Sequence, residues 1–187
     1  MSTVAARPFA GTYRAEPVHS SFAFAVRHSG LNRYRGSFSE ARAALRADGE
    51  DLLLEGSASV SSISIVEPPQ FRAHVLSPDF FDAARHPEVI FCSTEVRLDG
   101  DGCAEVDGEL TIRGITRPLS ATGRYAEPRP GPLGGDIAGL ELQTSFDRRD
   151  FGMDWQMEMP GGGDILAWDV ELTIDLRLEL ANGGTGE

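Results

Sequence analysis

The sequence predicts an all-β domain of about eight antiparallel strands, closed into a barrel or folded as a two-sheet sandwich. Three observations point there. Apolar and polar residues alternate with period two through most of the chain, turn signals fall between the alternating runs, and one proline-bounded helical stretch interrupts them. Closure would also remove exposed sheet edges.

Phe22, Phe24, Val26 and His28 share one face of the first clear strand, with Ala23, Ala25 and Arg27 on the other. A second run starts at Gly36 and Phe38, continues through Ala44 and Leu45, and ends at the turn pair Asp48-Gly49. Leu52, Leu54, Ser57 and the stretch Val60 to Ile65 read as one long third strand. Pro68-Pro69 stops it, because proline offers no ladder donor. Gln70 to Ser77 is predicted as a short helix and Pro78 to Arg85 as a second helical turn, ended at His86-Pro87. Alternation resumes at Glu88, with Val89, Phe91 and Ser93 opposite Ile90, Cys92 and Thr94. Asp99-Gly100-Asp101-Gly102 turns the chain into Cys103 to Arg113, and Gly114 bends it into Ile115 to Tyr125. A Pro/Gly-rich loop is expected from Glu127 to Gly135, then a strand from Ile137 to Asp147. Asp164 to Ala181 closes the domain, with Leu172, Ile174, Leu176, Leu178 and Leu180 pointing one way and Glu171, Thr173, Asp175, Arg177 and Glu179 the other. The domain is therefore expected over 10–182, with 1–9 and 183–187 as flexible tails.

At 187 residues the chain fits one domain with a core that needs no staples. All 17 cationic side chains are arginine, so Schiff-base chemistry and a phosphate-loop lysine are excluded. A net charge of −12 without a basic stripe argues against nucleic acid as a partner. Two cysteines, Cys92 and Cys103, suggest neither a metal quartet nor a disulfide framework, and are read as reduced, part-buried thiols on consecutive strands. The N-terminal run has no apolar core of signal-peptide type and no window reaches the ~20 apolar residues of a membrane span, so a cytoplasmic location is expected.

The short motifs have plain readings. Arg149-Asp150-Phe151-Gly152 spells a kinase metal-binding triplet, but no glycine-rich loop, catalytic loop or lysine accompanies it. His19, His28, His74 and His86 lack the spacing that places two ligands on one metal, so no metal and no cofactor is expected. His19-Ser20-Ser21 suits turn and capping chemistry better than a nucleophile. Asp147, Asp150, Asp154 and Glu158, interleaved with Arg148 and Arg149, read as a solvated loop with balanced charge rather than a carboxylate pair.

The aromatic residues carry more information. Phe71 to Ser93 holds four phenylalanines and two histidines, a composition that must be buried, as a plug across the mouth of the sheet. Phe22, Phe24, Phe38, Phe71, Phe80, Phe81, Phe91, Trp155 and Trp168 fall on inward faces or on that plug, and Met153, Met157 and Met159 crowd the late loop. A small barrel either fills with such side chains or encloses one ligand.

These residues resemble the YceI-like family, polyisoprenoid-binding proteins with a lipocalin-like barrel, over Gly11 to Ala181. The resemblance is carried by Pro17-Val18-His19-Ser20, Phe24-Ala25-Val26-Arg27-His28, Gly36-Ser37-Phe38, Arg72-Ala73-His74 and Ser77-Pro78-Asp79-Phe80-Phe81-Asp82. It continues through His86-Pro87-Glu88-Val89-Ile90-Phe91, Leu110-Thr111-Ile112-Arg113-Gly114-Ile115-Thr116-Arg117-Pro118 and Arg149-Asp150-Phe151-Gly152. It implies an extended eight-stranded antiparallel barrel with a helical segment after the third or fourth strand, often dimeric and not catalytic. The interior would take the tail of an amphipathic isoprenoid-type lipid such as a polyisoprenoid, an isoprenoid quinone or its precursor. Phe22, Phe24, Val26, Phe38, Phe71, Phe80, Phe81, Phe91, Trp155 and Trp168 are the expected lining, with His28, Arg72 and His74 beside the head group. Many members are exported, whereas no leader is read here. Trp168-Asp169 stands where the family tends to have two acidic residues, and Trp168 is expected to narrow the mouth. Two other functions stay open: an enzyme acting on such a lipid with His28 or His74 as base, and a filled barrel serving as a stress-response interaction module.

Overall fold

Ten strand segments build one antiparallel sheet that closes on itself: β1 (Thr12–Ala15), β2 (Ser21–His28), β3 (Asn32–Ser37), β4 (Ala41–Asp48), β5 (Asp51–Ser59), β6 (Glu88–Leu98), β7 (Cys103–Ile112), β8 (Ile115–Pro130), β9 (Asp136–Asp147) and β10 (Leu166–Leu180). The structure, a computed structural model, describes residues 9–48 and 51–181. Gly49 of the expected turn and nearly all of both expected tails lie outside those residues. β1 pairs with β4 on one side and β10 on the other, which makes the sheet a barrel and not a sandwich. β2 continues the β1 edge of β10, and β3 pairs with β2, so β1/β2 and β3/β4 act as two kinked staves of an eight-stranded barrel.

The kinks have local causes. Between β1 and β2 the Glu16 carboxylate accepts from the backbone N–H groups of Val18 and His19, and Ser20 Oγ bonds the backbone of Arg177. The predicted turn role of His19-Ser20-Ser21 is what these bonds show. Between β3 and β4 the chain is held by the segment after β5, where Phe38 bridges Ile63 and Ser64 N–H donates to Ser37 O.

That segment corrects one expectation. Val60 to Ile65 does not extend β5: Val60–Ser62 is a 3₁₀ turn. Ser62 Oγ donates to Ser59 O and accepts from Glu40 N–H, local bonding that competes with a ladder. The helix α1 (Pro69–Leu76) follows, with Pro69 at its first position where no N–H is needed, and ends at Ser77, held extended before Pro78. Pro78 to Arg85 is a run of turns, not helix: Phe80 and Asp82 both donate to Ser77 O, and Asp82 has a positive φ of 49°. The expected loop at Glu127 to Gly135 is also shorter, because β8 continues to Pro130 past a bulge between Ala126 and Arg129. Cys92 and Cys103 are both free, as expected, but exposed, not part-buried.

The interior divides along the strands. At one end Leu45, Val106, Leu140 and Leu178 are fully buried, and Phe9 packs edge-on against Tyr13 with ring centroids 5.2 Å apart. Phe9, expected in the tail, is therefore a core residue. Strands cross closely here: a Cβ on Gly123 would stand 1.8 Å from the carbonyl oxygen of Glu141 on β9. Gly123→Ala should force the two strands apart at a cost of about 1–3 kcal/mol, read as a lowered urea midpoint with an unchanged slope.

Outside the barrel, two carboxylates, Asp99 in the β6–β7 turn and Asp107 on β7, are stabilised in their charged form. The N–H of Cys103 holds Asp99 below its ordinary value of 3.8, and the Ser120 hydroxyl and Arg97 do the same for Asp107. A depressed folded-state pKa gives stability that is present above the unfolded value and lost as pH falls through the folded one. Unfolding midpoints should hold level down to about pH 5 and fall below about pH 4; in Asp99→Asn and Asp107→Asn together that fall should shrink.

Candidate functional site

The other end of the barrel is hollow. A cavity of about 640 Å³ is walled by Phe24, Val26 and His28 of β2, Asn32 and Tyr34 of β3, Leu110 and Ile112 of β7, Phe146 of β9, and Leu166, Val170 and Leu172 of β10. Along β10 the contrast is direct: Leu166, Val170 and Leu172 line the cavity, while Leu176 and Leu178 belong to the packed core. Gly36 sits opposite Phe24 across the β2–β3 ladder, and the Phe24 ring fills the place a Cβ would take, 2.4 Å from its ideal position. The missing side chain leaves room for the tip of that ring against the strand.

Helix α1 and the turns after it lie across the open end. Phe71, His74 and Val75 form one helical face toward the cavity, joined by Phe80 and Phe81. On the far side the loop after β9 contributes Met153, Trp155 and Met157. His74, Phe80 and Trp155 pack together, with ring centroids 4.7 Å apart for His74 and Trp155 and 5.5 Å for Phe80 and Trp155. Phe71 and Met157 line the cavity and yet are about half exposed, which places them on its rim.

Nine of the expected residues are thus brought together: Phe24, Val26, His28, Phe38, Phe71, His74, Phe80, Phe81 and Trp155. Phe22 and Phe91 line a separate, deeper cavity of about 130 Å³. Arg72 is turned away. A quarter turn from Phe71 on α1, it donates to the carbonyls of Ser61, Ile63 and Ile65 and ties the helix to the 3₁₀ segment. Trp168 does not narrow the mouth, since it lies outside the cavity lining, with the guanidinium carbons of Arg148 and Arg149 4.2 and 4.7 Å from its ring centroid.

The residue that sequence reasoning missed is Arg148. Expected in a solvated loop, it is 2% exposed and lines the cavity. Its guanidinium bonds no carboxylate; it donates to four carbonyls, those of Met153, Trp155, Leu166 and Ala167. The carbonyls of Met153 and Trp155 lie in the loop after β9 and those of Leu166 and Ala167 at the start of β10, so Arg148 ties the two ends of the loop together in the cavity wall. Burial pushes the guanidinium pKa down from its usual value. Arg149, next in sequence, faces solvent and pairs with Asp147. Only alternation could have separated the two, and the alternation ends with β9.

The remaining polar groups are few. His28 Nδ1 lies 3.0 Å from Ser29 Oγ, and His74 Nε2 lies 2.9 Å from an Asp79 carboxylate oxygen. Burial raises the Tyr34 hydroxyl pKa above its ordinary value, against the lowering effect of Ser64.

A closed barrel packed at one end, hollow and apolar at the other and roofed by a short helix defines the class of small ligand-binding barrels. The chain belongs to the YceI-like family: the family model for the YceI-like domain matches residues 13–178. Relatives include a UPF0312 protein of Vibrio cholerae, 29% identical over 167 residues that span 84% of this chain and 81% of that protein. A UPF0312 protein of Vibrio campbellii is 30% identical over 159 residues, with the same coverage of 84% and 81%. Among solved structures, Burkholderia cenocepacia BcnA superposes with a TM-score of 0.71 at 18% identity, covering 87% of this chain and 98% of that one. A polyisoprenoid binding domain from Saccharophagus degradans, implicated in plant cell wall breakdown, gives 0.61 at 11% identity, covering 92% and 100%. At these identities the two structures show the shared fold.

Arg148→Met should remove all four carbonyl bonds at once and destabilise the domain by about 3 kcal/mol or more, with faster amide exchange over residues 153–167. Arg149→Ala, which removes an exposed ion pair with Asp147 and the stacking of the guanidinium on Trp168, should cost no more than about 1–2 kcal/mol. Equal effects would show that burial does not distinguish the two.

Proposed function

We propose that the protein binds one amphipathic isoprenoid-type lipid, tail inside the barrel and head group at the rim, as a carrier or sequestering protein without catalysis. The observation that carries this reading is the cavity: about 640 Å³ of space whose walls are almost entirely hydrocarbon and aromatic ring. Family membership and the fold shared with a polyisoprenoid binding domain support it.

The physical chemistry fits. Each buried methylene contributes about 0.8 kcal/mol, so ten give ~8 kcal/mol gross, roughly micromolar binding before ordering costs. Flat rings and the flexible Met153 and Met157 suit a branched, irregular chain better than one fixed shape. Head-group contacts fall to the polar groups of the open end, His28, Asn32, Tyr34 and His74. Arg72 has no part in this, being spent on backbone carbonyls.

Of the two other functions, the filled barrel describes only the Phe9 end. Catalysis has one observation in its favour, the hydrogen bond between His74 and Asp79 on the cavity wall, an orientation a general base would use. The same histidine is wedged edge-on between Phe80 and Trp155, which makes it part of the wall.

Organic-solvent extraction of the purified protein should yield an isoprenoid-type lipid by mass spectrometry. The delipidated protein should take up geranylgeraniol with a change in tryptophan fluorescence that is lost in Trp155→Phe. His74→Ala should retain affinity within a few-fold. Protein that holds no lipid and takes up none removes the proposal, and turnover of an offered lipid that His74→Ala abolishes would replace it with the enzyme.

A further inference from the structure

The two cavities lie end to end along the barrel axis. The larger is open at the rim and the smaller, about 130 Å³, sits beneath it, above the packed leucine core. Four side chains line both: Phe38 beyond the end of β3, Val89 on β6, Leu110 on β7 and Leu172 on β10. They reach inward from separate staves around the barrel, so together they form a partition across its bore.

We propose that Phe38, Val89, Leu110 and Leu172 are a floor that sets the length of the bound chain, and that the small cavity beneath is a terminal subsite the floor withholds. This inference rests on the lipid-tail reading of the upper cavity. A water-sized or methylene-sized group takes about 30 Å³, so the upper cavity holds roughly twenty such groups, about four isoprene units, and the lower cavity roughly four groups, about one more unit.

The geometry of Phe38 makes it the main element of the floor. Its ring stands edge-on to Phe81, centroids 6.1 Å apart, and beside Phe24 at 5.8 Å. Both neighbours line the upper cavity, so Phe38 closes its base while held from above. The lower cavity exists because small residues face it, Ala43, Gly56, Ala58 and Ala121 among them. Larger residues there would have filled the bore; instead the space is apolar, with room for about one isoprene unit. Leu45, Leu140 and Leu178 then end the bore for any chain.

The test is a length series of all-trans prenols, two to six isoprene units, titrated into delipidated protein and followed by tryptophan fluorescence. In the wild-type protein affinity should rise by about fourfold per buried methylene up to four units and then level off, the excess chain staying in water. Phe38→Ala should move the plateau to five units, and Leu172→Ala, cutting the floor from the opposite wall, should move it the same way. Adding Ala121→Leu to Phe38→Ala should return the plateau to four, because Ala121 lines only the lower cavity. Affinity that climbs through six units in the wild-type protein, or a plateau that stays at four in both folded floor variants, overturns the floor and leaves lipid binding standing. Absence of binding at every length removes the lipid-tail reading itself, and the floor with it.

Discussion

Everything in this molecule depends on the closure of the sheet by β1, a strand of four residues that pairs with β4 on one edge and β10 on the other. Closure gives every strand but β3 a neighbour on both edges among the described residues, so most of the wall stands without help from what lies inside. An open sheet of this size would have to bury its apolar face against a second layer. A closed one can be packed where Leu45, Leu140 and Leu178 meet and hollow where Phe24, Tyr34 and Val170 face each other.

One length of wall that closure does not support is the loop between β9 and β10. Its carbonyls have little ladder to join, and a cavity-facing loop with unpaired carbonyls would carry a desolvation cost at each. Arg148 answers this with one side chain, its planar fork spread over four carbonyls and its face stacked on Trp168. A lysine offers fewer donors and no planar face. The charge stays soluble in the protein interior because carbonyl dipoles and an aromatic ring surround it, in place of a carboxylate.

The strands were legible because they obey a period of two along β2, β6 and β10, and the helix because prolines bound it on both sides. The cavity-facing phenylalanines followed from the same alternation. What the sequence concealed lies where periods break. The serines around Val60 read as small strand residues, yet their hydroxyls bind backbone locally and curl the chain. Arg72 looked like a head-group ligand because it neighbours His74, but on a helix neighbours in sequence point apart. Trp168 precedes the regular part of β10, inside a register shift between Leu166 and Val170 that alternation cannot anticipate. Arg148 and Arg149 are identical in type and adjacent, and only the three-dimensional path of the loop decides which is buried.

A hollow apolar interior runs against the usual economy of folding, since wall atoms facing empty space forgo the dispersion contacts that dense packing gives. The barrel bears this because its ladder hydrogen bonds and the Phe9 end supply the order that core packing supplies elsewhere. An apolar chain lying in the cavity would restore the missing contacts along its whole length. The rings of Phe24, Phe38, Phe81 and Phe146 line it, with no hydrogen-bonding groups to leave unpaired. Affinity from such a wall grows with buried length and is indifferent to chemical detail. For such a chain, discrimination would have to come from the two ends: the polar groups of His28, Asn32, Tyr34 and His74 at one, and the inner end of the cavity at the other.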